Sequence, residues 1–162
     1  MKKIAKIFLS AVFLFGIWSC NKQENKVVLQ GGTPPVLTAS SKDSIPVSFA
    51  HKDEKAIQIT WTNPNYQFNT GISSLDVNYT IEIDTAGANF TNPNKSVISI
   101  GTDLSKSFTQ NELNNQLLAL QLAPDVSHNI QIRVTSMLLG GAEPLTSNVL
   151  SFKVTPFTLP PV

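Results

Sequence analysis

The chain has 162 residues, with 12 Lys+Arg against 11 Asp+Glu and a formal balance of +1. That length suits one domain with a buried core, and the absence of a basic stripe argues against a nucleic-acid partner. Charged residues are 14% of the chain, below the roughly one quarter of average proteins, so Asn, Gln, Ser and Thr supply the polar surface.

The first twenty residues, MKKIAKIFLSAVFLFGIWSC, are built as a secretory leader. Lys2, Lys3 and Lys6 precede an almost unbroken apolar run from Ile7 to Trp18. That run is shorter than the roughly 20 residues a bilayer-spanning helix needs, and its basic flank is that of a signal peptide. Ile17-Trp18-Ser19-Cys20 resembles the bacterial lipobox, in which the cysteine thiol takes a diacylglyceryl group and becomes the new N-terminus after cleavage. Residues 1–19 are therefore expected to be a lipoprotein signal peptide, with Cys20 as the lipidation site. The alternatives are an ordinary leader with a chance cysteine and an uncleaved short anchor. Without its three lysines, nine cations face eleven carboxylates, and the balance falls to −2. Cys20 is the only cysteine, so the exported domain has no disulfide.

Residues 20–33 read as a lipidated N-terminus and flexible tether ending in Gly31-Gly32. Short strands follow. Val36 to Ala39 and Ile45 to Phe49 look edge-like, the latter because of Pro46. Ala56 to Thr62 alternates, with Ile57, Ile59 and Trp61 on one face. Val77 to Asp84 alternates again, and Ser96 to Ile100 is a shorter strand. Thr109-Gln110-Asn111-Glu112 fits a capping box, and Leu113, Leu117 and Leu120 then form one helical stripe. Asn129 to Met137 and Asn148 to Thr155 complete the set, and the tail from Pro156 has nothing left to pair with. About seven alternating strands and one short helix predict an all-β, immunoglobulin-like antiparallel sandwich over 34–157, with 158–162 as a Pro-rich tail. A small closed barrel is the competing fold.

Catalytic constellations do not stand out. His51 and His128 are the only histidines, too few with no free thiol for a zinc site, so neither a metal nor another cofactor is expected. No Gly-x-Ser-x-Gly stretch or facing pair of carboxylates suggests a hydrolase, and the chain reads as no enzyme. Asn65-Tyr66-Gln67-Phe68-Asn69 is the best ligand surface, because sugars stack on aromatic faces and bond to amides. Tyr66 and Phe68 would carry it, unless they close one end of the core. Asp43-Ser44-Ile45 and Asp84-Thr85-Ala86 resemble an Asp-Ser/Thr-aliphatic motif for O-glycosylation, which marks Ser44 and Thr85.

The stretches PPVLTAS, AIQITWTNPNY, VNYTIEIDTAGANFTNP, KSFTQNELNNQLLALQL and GGAEPLTSNVLSFKVTPF resemble, in order and spacing, the N-terminal domain of the SusE outer-membrane lipoproteins of Bacteroidetes. The resemblance implies an immunoglobulin-like sandwich lipid-anchored at the outer membrane, on the cell surface or the periplasmic face. It implies a role beside a SusC/SusD-type importer in the capture of starch-like glycans. Family members continue into carbohydrate-binding modules, so the resemblance makes this domain a spacer or platform and transfers no catalytic residue. A surface structural or adhesion immunoglobulin-like module without a carbohydrate role is the alternative function.

Overall fold

The computed structural model describes residues 26–160. Cys20 and the leader lie outside the described residues.

Two antiparallel sheets form the sandwich. One holds β2 (Leu37–Ala39), β3 (Lys55–Trp61) and β8 (Ser105–Thr109) in the order β2-β3-β8. The other runs β10-β9-β6-β7, from β10 (Leu145–Thr146), β9 (His128–Leu138), β6 (Val77–Thr85) and β7 (Ser96–Gly101). β11 (Leu150–Val154) continues the β10 edge along β9. With β10 and β11 counted as one broken strand, this is the expected seven-strand sandwich. A third, small sheet of β1 (Leu29–Gly31), β4 (Gln67–Phe68) and β5 (Gly71–Ile72) lies across one end.

The alternation of the sequence sets which faces meet. Ile57, Ile59 and Trp61 from β3 share the core with Tyr79, Ile81 and Ile83 from β6 and Ile130, Ile132 and Val134 from β9. Period-two burial in β3 and β9, and alternating apolar residues in β6, turn one apolar face of each sheet inward. Helix α1 (Gln110–Ala119) carries the full capping box, with Thr109 accepting from the Glu112 amide and the Glu112 carboxylate accepting from the Thr109 amide. Leu113, Leu117 and Leu120 are buried as one stripe.

Four details differ from expectation. Ile45 to Phe49 is not a strand. Residues 43–45 instead run beside β11, with a single parallel bridge between Ser44 and Lys153. Pro46, which has no amide hydrogen, stops further pairing, and a 3-10 turn follows at Phe49–His51. The seventh strand is β8, whose sequence SKSFT offers only Phe108 to the core and so carries no alternation signal. The tether region is shorter than 20–33, because Leu29 and Gly31 pair with Phe68 and Gln67. Gly32 there is a packing residue: a Cβ on it would meet Tyr66 Cδ1 at 2.9 Å. The tail is docked as well. Asn114, fully buried on α1, donates to the Phe157 carbonyl at 3.1 Å and accepts from the Phe157 amide at 2.8 Å. A second amide clasp joins the two sheets. Asn148 accepts from the Leu37 amide at 2.7 Å and donates to its carbonyl at 3.0 Å.

Candidate functional site

The aromatic loop buries the Tyr66 ring and leaves that of Phe68 half-buried. Tyr66 is 1% exposed. Its hydroxyl donates to the Glu143 carbonyl and lies 3.3 Å from both the carbonyl and the hydroxyl oxygen of Ser136. Burial is the main cause that raises the Tyr66 pKa above the usual phenol value, and the nearby Glu143 charge adds to it. Tyr66 is therefore a plug that fixes the 139–143 loop to β9. Phe68 is half-buried against the core, on a strand paired with β1. The surface left at this position is a polar groove of about 540 Å³ lined by Gln30, Gly31, Gly32, Thr33, Asn65 and Gln67. It offers amides and backbone groups without a flat apolar face, which is half of what sugar recognition uses.

The two glycosylation candidates fall in different settings. Ser44 is exposed on the segment beside β11, at a shallow groove of about 310 Å³. Thr85 is half-buried, pairs with Ile130, and its hydroxyl is 3.4 Å from Asp84 Oδ1. Asp84 itself is fully buried and accepts from the Thr85 amide at 2.7 Å. A transferase would find the Ser44 hydroxyl far more readily than that of Thr85.

The histidines sit on separate segments with separate partners. His51 Nδ1 sits 2.8 Å from Glu54 Oε1 in the turn before β3, and His128 Nε2 is 2.9 Å from the Ala123 carbonyl. Among the described residues, no group of three or more His, Cys, Asp or Glu converges as a metal site would require.

The charged centre that the sequence did not reveal lies on the outer face of β6 and β9. Glu82 is 8% exposed and takes Lys95 Nζ and Arg133 Nε, each at 2.6 Å. Register places Glu82 directly opposite Arg133, and Arg133 lies over the Phe90 ring at 4.1 Å. Burial alone would raise the Glu82 pKa, but the bonds and charges of Arg133 and Lys95 outweigh it and hold the carboxyl below its usual range. Lys95 also donates to the Phe90 carbonyl at 3.0 Å. Both cations are thereby used to pin the 86–95 loop onto the sheet. Phe90 takes a left-handed φ of 58°, unusual for a bulky residue, and the burial of its ring under Arg133 offsets that strain. The only sequence signal for this cluster was Glu82 and Arg133 on the polar sides of two alternating strands, and nothing in the sequence paired them.

Among the described residues, no helix is long and apolar enough to cross a membrane. A family profile described as "SusE outer membrane protein" matches residues 22–135. No curated protein matches the chain.

Proposed function

The chain belongs to the SusE outer membrane protein family, and from that premise we propose that it is a non-catalytic, lipid-anchored accessory domain of a starch-like glycan capture and uptake system. Cys20 carries the lipid in this reading, and residues 34–157 act as a rigid spacer or platform beside a SusC/SusD-type importer.

The observation that carries the spacer reading is where the chain enters and leaves the sandwich. β1 lies at the end marked by Val77, Trp61 and Leu138, while Phe157 is clasped to α1 at the end marked by Thr85 and His128. β9 has eleven residues, so the two ends are separated by about 33 Å at roughly 3.3 Å per residue. A domain threaded in this way separates what is attached at one end from what is attached at the other. The polar groove beside Gln30 and Asn65 lacks an aromatic platform, which supports a platform role over direct glycan capture. The exposed Ser44 is the site at which O-glycosylation is proposed.

Two measurements test the reading. Cys20→Ser should abolish fatty-acid labelling and move the protein out of the membrane fraction. A mutant that stays labelled and membrane-bound overturns the anchor. Affinity purification of the lipidated protein should bring down a SusC/SusD-type importer, and recovery of adhesin components instead overturns the uptake role.

A further inference from the structure

We propose that the end of the sandwich from which the N-terminal segment departs is a membrane-seating surface, whose exposed aliphatic side chains rest in the headgroup–acyl boundary of the leaflet that holds the lipid anchor. This rests on the lipidation of Cys20 and adds a second contact to it.

Several chain segments put aliphatic side chains into water at this end. Ile72, on β5, is 68% exposed, the most of any large apolar residue described. Val27, Val28, Leu75 and Leu139 are exposed too. Backbone bonds hold their segments together. The Asn69 amide donates to the Val28 carbonyl at 3.0 Å, and Asn69 Nδ2 donates to the Lys26 carbonyl at 2.9 Å. The Leu139 amide donates to the Asp76 carbonyl at 2.9 Å. These side chains are not needed to close the core, because Tyr66 already does so from inside. Exposed aliphatic residues mark an interaction site where they form a contiguous patch.

The occupant follows from chain length. Lys26 is already tied to Asn69, so six residue steps separate it from Cys20, a reach of at most about 20 Å when fully extended. The sandwich is longer than that, at roughly 33 Å along β9. A lipid on Cys20 therefore keeps the Ile72 end within about 20 Å of the leaflet, too close for the sandwich to stand on its opposite end. The opposite end also carries the run Lys52-Asp53-Glu54-Lys55, which favours bulk water. Charged groups at the Ile72 end are few, with Lys26, Asp76, Asp103 and Glu143 not adding up to a basic patch, so contact with lipid would be apolar. Apolar side chains at the interface add to a lipid anchor in the way a second acyl chain does.

The test uses the mature, lipidated full chain. Ile72→Cys and, at the opposite end, Val126→Cys are each labelled with an environment-sensitive fluorophore, the Cys20 thiol being blocked by its lipid. Each is reconstituted into phosphatidylcholine vesicles with a spin label near the top of the acyl chain. The Ile72 probe should shift to the blue and be quenched several-fold more than the Val126 probe. Equal, weak quenching at both positions, in protein whose mass confirms the diacylglyceryl group, overturns the seating and leaves the anchor standing. Absence of that mass overturns the anchor and the seating together. A probe that is wet in vesicles but protected in native outer membrane overturns the lipid contact in favour of a protein partner.

Discussion

The two ends of this sandwich are closed by different chemistry. At the Thr85 end, α1 lies across the opening with its stripe of leucines, and Asn114 grips the departing chain through both backbone groups of Phe157. The Glu82–Arg133–Lys95 cluster fastens the neighbouring loop. At the Val77 end, a three-strand miniature sheet folds over the buried Tyr66 and leaves aliphatic side chains facing outward. One end is finished by hydrogen bonds and ion pairs. The other is sealed from within and exposes the aliphatic residues Val27, Val28, Ile72, Leu75 and Leu139, where the α1 end exposes Phe49, Val126 and Leu159.

The sharpest way to break this contrast is at the plug. Tyr66→Ala should cost about 3–5 kcal/mol, as large aromatic truncations in cores do, read as a drop in the denaturation midpoint at unchanged slope. A fold that survives intact with altered ligand binding would instead make Tyr66 a recognition residue. At the other end, Asn114→Ala orphans two backbone groups of Phe157, and a loss of about 2–4 kcal/mol is expected from the penalty for unsatisfied buried groups. Amide exchange of Phe157 should accelerate in parallel.

The ion cluster supplies a pH signature. The Glu82 pKa is lowered in the folded state, so its contribution is present above the ordinary carboxylate range and is lost as pH falls through the lower folded value. Glu82→Gln should therefore flatten the acid limb of a stability–pH profile. An acid limb identical to that of the parent would show that the cluster adds nothing. Tyr79→Phe should be close to neutral or slightly stabilising, by up to about 1 kcal/mol. The Tyr79 hydroxyl is buried with no partner among the described residues, and removing an unsatisfied group relieves its desolvation cost. The smallest effect belongs to the open end, where Ile72→Ser should change stability by no more than about 0.5 kcal/mol, as exposed positions do. A large loss there would mean that β5 is part of the core.

Much of the architecture was legible from local patterns. Alternation placed β3, β6 and β9 with their inward faces, and the Thr109–Glu112 spacing placed α1 with its cap, because both signals arise within a few neighbouring residues. β8 was illegible, since one inward Phe108 makes no pattern and its strand character comes from pairing with β3. The small sheet was hidden for the same reason: two- and three-residue strands exist only through their partners. The aromatic loop was legible as either ligand surface or core cap, and the structure placed Tyr66 in the core.

The sequence by itself determined the sandwich class, the capped helix and the inward faces of the long strands. These follow from residue order alone, through side-chain periodicity and backbone capping. Only the tertiary structure decided which polar residues are structural. Asn114 and Asn148 look like any surface amides until distant backbone arrives to be clasped, and Glu82 and Arg133 become a pair only when register sets them opposite each other. It also decided how the two ends are closed, since Asp76 and Leu139 are 63 positions apart in sequence and bond to each other only once β6 and β9 are aligned.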